Sequence, residues 1–544
     1  MNAIKLMNDS KAMRWLMLVL VSGLMFSTYY FYDFFAPLRG LLESEHGITS
    51  DEFGKILFFM TLPNILGMII IGGIIIDKFG VRFAGLLFGG ITVLGGIVSA
   101  MTTAGFFGTD KSSILTGLII GRLLFGIGIE ATLVVVTRAI VKWFKGHELA
   151  LAMAISVGIG RLGTALALAI TLDISSTSIA PSVVFGAATL VASFLMFVVY
   201  LFFDVKFDRQ LKEKKISMGD DQPDEDFKFK DLVKLISTKA FIFIALLCVA
   251  FYASVFPFIQ YAPDLLVNKF GFSYNLPEGA AIYLFGSESL GSVVVFVVIF
   301  LFALGFTLLP DFFKEKRSKI FSVVLLLAVF AFLVSQIWDV LSIWFINGPK
   351  AASLIPLGSV VFTPIFGKYV DTNGKAASLM IIGSFLLIFA NIALSLFSST
   401  LLAYLGLLSL GVAFSLVPAA MWPAVAKIVP DNRLGTAYAS MFTLQNWGLG
   451  AFFFGIGWLL SKMNPIVEST IAQTREVLAA EGLTGGEISA RISELQVAGE
   501  IPFYDYTWPM LMLVACGVFS ILLAYLLKKE DREKGYGLEL PSNG

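Results

Sequence analysis

The sequence predicts an all-α polytopic membrane protein, and three observations predict it. Hydrophobic residues fill 57% of the 544 positions and charged residues only 14%, a balance foreign to soluble domains. Mean hydropathy is +0.85, and uncharged runs near the roughly 20 residues that a bilayer-spanning helix needs recur along the whole chain. Lys and Arg also sort by side once alternate loops are assigned to alternate faces of a membrane, as a correct set of spans requires.

Taken in order, residues 15–32, 56–76 and 83–109 supply three spans, a run centred on Glu130 the fourth, a run containing Arg161 the fifth, and residues 174–203 the sixth. Residues 1–204 thus form an N-terminal six-helix half. Residues 205–239 are charged and lack apolar periodicity, which reads as a solvated cytoplasmic linker. A C-terminal half, 240–528, follows with runs at 240–262, 289–309, 320–338, 351–366, 376–426, 434–461 and 506–527. The run at 376–426 is long enough for two helices, with a turn near Ser398, Ser399 and Thr400. The expectation is about 14 spans, with residues 529–544 as a cytoplasmic tail.

With the N-terminus inside, 29 of the 39 Lys and Arg fall in cytoplasmic segments and eight outside, so both termini are expected to be cytoplasmic. Only Arg122 and Arg161 remain within the membrane. The first apolar run carries Tyr29, Tyr30 and Tyr32 and no small-residue cleavage pattern, so it reads as a retained helix. Cys248 and Cys516 lie far apart in spans, and His46 and His147 lie in loops, so no metal centre, disulfide framework or cofactor is expected. Neither an ATP-binding Gly-x-x-x-x-Gly-Lys-[Ser/Thr] loop nor an enzyme's nucleophile-and-base constellation is visible. The expected partners are a small-molecule substrate and the lipid bilayer, not nucleic acid, and the chain could act as a monomer.

An internal repeat sharpens the function. The loop GIIIDKFGVR carries Gly73, Asp77, Gly80 and Arg82; GKYVDTNGK carries Gly367, Asp371, Gly374 and Lys375 at matching spacing. One copy would be an ordinary turn, but two copies after matching spans indicate two related halves. The pattern resembles the loop signature of the major facilitator superfamily. In that reading each loop is a conformational latch, its aspartate set beside a helix end and its basic residue bridging to neighbouring helices.

A closer resemblance lies in GIGIEATLVVVTRAIVKWFKGHELALAMAISVGIGRLGTA and SLVPAAMWPAVAKIVPDNRLGTAYASMFTLQNWGLG, with YYFYD in the first span and CVAFYASVFPF in the seventh. These are similar to the lysosomal dipeptide transporters of the superfamily's domain-containing-protein-one group. The resemblance covers most of both halves and lapses at about 275–349, where this chain inserts two apolar runs. An inserted pair keeps the parity of everything downstream, so the fold implied is twelve helices plus two. Both inserted helices are expected to cross the membrane at the bundle's periphery. Residues 462–506, on the outer side, read as two short amphipathic helices around Gly485 and Gly486 that cap the bundle.

Glu130 and Arg161 each lie about fifteen residues from the turn between the fourth and fifth spans, hence roughly 23 Å from it at 1.5 Å per residue, near mid-bilayer. A charge there costs about 2.5–3.5 kcal/mol. Two readings stand: an ion pair tying the two helices, or a polar site on a translocation path. The resemblance favours the second, because these positions match the group's substrate-site acid and base. Arg122 is expected to snorkel to the outer interface, and Asp33 to sit unpartnered at the outer end of the first span.

Aligning HELALAMAISVGIGR with NRLGTAYASMFTLQN places Asn446, beside Gln445, in the position of Arg161. Tyr29, Tyr32, Tyr252 and Trp422 are the aromatic candidates for the same cavity. The function expected is secondary-active or facilitative transport by alternating access, with dipeptides implied by the resemblance. If Arg161 holds Glu130 ionised, facilitated transport is favoured over proton symport. The alternatives are proton-coupled transport of an amino acid, sugar or organic anion, or a receptor that kept the fold. The expected location is a cell inner (plasma) membrane, since no acidic dileucine address stands at the N-terminus and the one Asn-x-Ser sequon, at Asn8, faces the cytoplasm.

Overall fold

A bilayer core holds no water to satisfy peptide groups, so a chain this apolar must bond each amide within its own segment, and it does so as helices. The computed structural model describes residues 6–145, 147–175, 177–218, 238–277, 279–430 and 434–541. Among them the only extended pairing is two isolated bridges. In the first part of the chain α1 is Lys11–Asp33, α2 Arg39–His46, α3 Ser50–Ile65, α4 Met68–Thr103, α5 Lys111–Phe144, α6 Leu149–Ile174 and α7 Ala180–Met218. Next come α8 Lys239–Phe270, α9 Glu288–Leu308, α10 Lys316–Gln336, α11 Trp338–Phe345 and α12 Gly348–Ala352. The remainder is α13 Leu354–Asn373, α14 Ala376–Leu396, α15 Thr400–Ile428, α16 Leu434–Met463, α17 Pro465–Ala480, α18 Gly485–Val497 and α19 Thr507–Lys534.

Among the described residues, twelve helical segments are long and apolar enough to cross a membrane, against the fourteen spans expected. The count takes Met68–Thr103 as one segment, although Gly80, at φ 80° and ψ 167°, breaks its helical path. It also omits α16. The number of crossings is therefore tested by labelling. A cysteine at Ser318, at the start of α10, is expected to react with an impermeant maleimide only from the cytoplasmic side, because one odd crossing upstream would move it outside.

Two expectations at the boundaries are corrected. The segment from residue 205 is not wholly a solvated linker, since α7 runs on to Met218, while residues 219–237 lie outside the described ones. Asp204, at its start, is buried and accepts from Lys142 at 2.7 Å, Tyr200 at 2.8 Å and Trp143 at 3.2 Å. Nor is the inserted pair uniformly peripheral. α10 is almost wholly on the outside of the bundle, but α9 packs on α6 and α13, and its Ser292 donates to Asp173 of α6 at 2.8 Å.

The first six-helix part meets the second mainly where α3 lies along α16 and α6 along α13. Glycines set the first contact: a Cβ on Gly54 would stand 2.9 Å from the Phe453 carbonyl oxygen, and one on Gly457 2.5 Å from that of Ser50. Small residues let membrane helices approach this closely. On the outer face, α17 and α18 cover the seam. Ser50 donates its backbone N–H to Glu468 of α17 at 3.1 Å, and Gly486 of α18 donates to the Thr177 carbonyl at 2.7 Å.

Beneath that cover lies a buried ion pair between the two parts, Arg39 Nη1 to Asp264 Oδ2 at 2.6 Å. Tyr274 and Tyr506 also donate to Asp264, and Tyr504 donates to Glu43. The Arg39 guanidinium lies 4.4 Å from the centre of the Tyr504 ring. Burial, with Glu43 beside it, pushes the Tyr504 hydroxyl pKa well above its ordinary value, so it stays a donor.

Candidate functional site

Glu130 and Arg161 stand near the middles of α5 and α6, and both are partly exposed within a bundle whose neighbouring positions are mostly buried. They do not, however, pair: among the described residues no ion pair joins them, so of the two readings the ion pair tying α5 to α6 is not what the structure shows. Asn446 of α16 instead stands beside Glu130, within reach of its carboxylate. The Arg161 guanidinium lies 4.0 Å from the ring centre of Phe414 on α15 and 5.7 Å from that of Tyr29 on α1. The reason is the crossing of the helices. Both charges point from the first half toward the second, and each meets a neutral residue there. Without a contact between Arg161 and Glu130, the expectation from the sequence of facilitated transport over proton symport lapses.

The other sequence candidates join this arrangement through rings. Tyr252 of α8 stacks on Phe256 at 5.5 Å and accepts a hydrogen bond from Trp422 Nε1 at 3.1 Å. Trp422 stacks in turn on Phe442 at 4.8 Å. Phe256 meets Tyr32 edge-on at 6.0 Å and Phe414 at 5.6 Å, which closes the circuit back to Arg161. Gln445 accepts from the Cys248 thiol at 3.6 Å, and Asn446 donates to the Phe442 carbonyl at 3.0 Å. Tyr29 lies within the fields of Arg161, Glu130 and Asp33.

Two residues depart from expectation. Arg122 does not snorkel. It is fully buried, donates to the carbonyls of Phe31 at 2.8 Å and Tyr32 at 3.4 Å, and sits 4.1 Å from the Phe35 ring centre. Its eight-residue offset from Glu130 brings it against the end of α1, where carbonyls and aromatic faces satisfy the charge. Asp33 is likewise buried and not solitary, accepting from Thr164 Oγ1 at 2.7 Å and Gln260 Nε2 at 2.6 Å. It thereby bridges α1 and α6 to α8. Its signal was a carboxylate closing an aromatic run, misplaced by assuming that the helix end was exposed. Phe256, Phe414 and Phe442 had no signal, being three of 52 phenylalanines.

The loop signatures also take definite partners. In the first copy Asp77 pairs with Arg138 of α5 at 2.6 Å, and Arg82 with Asp208 of α7 at 2.8 Å, while Gly73 has open space beside it and Gly80 supplies the left-handed turn. In the second copy Gly374 and Lys375 both take positive φ, and the chain's tail lies against them. Lys375 and Ala376 donate backbone N–H groups to the Glu539 and Leu538 carbonyls at 3.2 and 3.0 Å. Gly367 has open space where a Cβ would stand, and Asp371 lies exposed at the end of α13. Asp77→Asn keeps size but loses the charge facing Arg138. The expected result is slower transport with substrate affinity changed less than about threefold, checked by flux beside equilibrium binding; equal loss of both would indicate misfolding.

Comparison with known proteins agrees with this architecture. Residues 18–355 match the family described as the Major Facilitator Superfamily. Among curated proteins, the human lysosomal dipeptide transporter MFSD1 is 24% identical over 473 residues, covering 83% of this chain and 81% of that protein. The Bos taurus protein of the same name is 24% identical over 82% and 80%. In fold the chain resembles a D-xylose-proton symporter, at TM-score 0.54 and 13% identity over 96% of this chain and 98% of that one. It also resembles the nucleoside transporter NupG, at TM-score 0.52 and 13% identity over 94% and 98%. The repeated loops, the paired six-helix halves and the family match lead to one conclusion: this chain belongs to the major facilitator superfamily and is a multi-pass integral membrane transporter.

Proposed function

We propose that the protein moves dipeptides across its membrane by alternating access, with Arg161 reading the substrate carboxylate and Glu130 its ammonium. One observation carries the reading: the acid and the base stand near the middles of neighbouring helices without pairing, Arg161 against Phe414 and Glu130 beside Asn446 of the opposite half. Their charges remain available to a ligand. A dipeptide separates its charged ends by two residues, roughly 7 Å of extended chain, which suits two groups that do not touch. Arginine offers a planar fork matched to a carboxylate, and the rings of Tyr29, Tyr32, Tyr252 and Trp422 can hold varied side chains without selecting one. Because Phe414 and Asn446 belong to the second half, a ligand bound between the charges would contact both halves and couple binding to their rocking.

The names of the similar proteins support the same substrate class. The membrane in which this chain acts belongs to the proposal as well: the inner-membrane expectation finds no support from relatives that are called lysosomal. The test is uptake into proteoliposomes with the purified protein, paired with thermal shift. Free dipeptides are expected to bind and to be carried, and N-acetylated or C-amidated ones to bind at least tenfold more weakly. Equal binding of blocked and free dipeptides sinks the proposal, and preference for a sugar or an organic anion would replace the substrate.

A further inference from the structure

The inserted helices border a second pocket, whose lining includes neither Glu130 nor Arg161. It measures about 500 Å³ and is lined by Ile299, Phe302, Ala303 and Phe306 of α9. Leu354, Leu357, Gly358, Val361 and Phe362 of α13, and Tyr404, Leu407, Leu408 and Gly411 of α15, complete the walls, with Phe330 of α10 as the one contribution from that helix. Each wall follows helical spacing, three or four residues apart, so three helices each turn one face inward. Small residues make the room. A Cβ on Gly358 would find its nearest neighbour only at 4.0 Å, in the Phe362 ring.

The chemistry of the walls narrows what fills it. The one polar side-chain group is the Tyr404 hydroxyl, which already donates to the Phe345 carbonyl. Water would need two to four polar partners, so the chamber is not a water site. The chamber lies between membrane-spanning helices, and α10, which closes its remaining side with a single ring, is only 6% buried along its apolar window. The solvent at that side is hydrocarbon.

We propose that this chamber is a binding site for the hydrocarbon chain of a bilayer lipid, which wedges between the inserted pair and the second six-helix half. α9 separates it from the transport site, because the opposite face of that helix meets α6, with the Phe300 ring 3.4 Å from a Cβ position on Gly158. The lipid chain therefore acts as a packing partner for α9 and not as a transported substrate. It gives the inserted pair a dry surface against α13 and α15 that its own side chains do not fill.

The experiment is native mass spectrometry of the full-length protein extracted in mild detergent, together with thermal shift on adding dioleoyl phosphatidylcholine or oleic acid. The wild type is expected to retain one chain-bearing adduct and to gain at least 3 °C with added lipid. The double variant Ala303→Phe, Gly358→Leu fills the chamber with its own side chains and is expected to lose the adduct and at least half of the thermal gain. A phospholipid mass identifies a bilayer lipid, and a fatty-acid mass the free acid as the source of the same chain. Retention by the filled variant equal to wild type, or a wild type without adduct or thermal gain, overturns the proposal. Should the variant fail to fold, a benzophenone side chain replacing Phe330 provides the second measurement: photo-adducts carrying a lipid mass support the site, and adducts to protein alone overturn it.

Discussion

Arg161→Lys is expected to weaken dipeptide binding by about 10- to 100-fold, the loss of one good hydrogen bond between charged groups at about 1.5–3 kcal/mol. Lysine keeps the charge but not the fork, and a compact ammonium cannot engage both carboxylate oxygens in the same planar geometry. It also loses the flat face that lies 4.0 Å over Phe414, so the new side chain is less firmly aimed. Glu130→Gln should cost a similar amount, for a different reason. Glutamine keeps the size and shape of the side chain beside Asn446, while the charge that faces the substrate ammonium is gone. The two effects separate by ligand. A C-amidated dipeptide, lacking the carboxylate, should discriminate little between Arg161→Lys and wild type, and an N-acetylated one should do the same for Glu130→Gln. Isothermal titration with the four ligand and protein combinations checks this, and a uniform loss across all ligands would mean that neither residue reads a terminus.

Asp264→Asn is expected to produce the largest conformational effect. Asp264 and Arg39 are each 2% exposed, and removing one partner of a buried pair costs about 3–5 kcal/mol because it strands the other charge. The protein has a way to relieve that cost, since the pair joins the two halves at the outer face: opening that face would hydrate Arg39. The substitution therefore favours the outward-open state. Cys248 reports on it, being fully buried and bonded to Gln445 at the central site. In a Cys516→Ser background, an impermeant maleimide added outside should label Cys248 several-fold faster in Asp264→Asn than in the parent. Replacing the pair together, as Arg39→Met with Asp264→Leu, should recover part of the thermal stability, since the two paired charges leave together while Tyr274 and Tyr506 lose their acceptor. Unchanged labelling in Asp264→Asn would mean that the pair does not hold the outer face closed.

What the sequence determined by itself was whatever depends on one segment at a time. The apolar runs specify helices because a bilayer permits little else, and the turn at residues 397–399 between α14 and α15 stands where the serines and Thr400 marked it. The repeat of Gly, Asp and Gly exposed the two halves, since turn geometry is written locally in glycine. Glu130 and Arg161 were legible because a charge in an apolar run is costly wherever the helix packs. Partners were not legible. Asp33 and Arg122 looked like surface charges by depth along their helices, and only the crossing of α1, α5, α6 and α8 buries them against Thr164, Gln260 and the Phe31 carbonyl. The same crossings hand Glu130 to Asn446 and Arg161 to Phe414 instead of to each other. Depth in a membrane follows from residue count, but the direction in which a side chain points across a bundle follows from how helices rotate against their neighbours, and that is decided by packing among segments far apart in the chain.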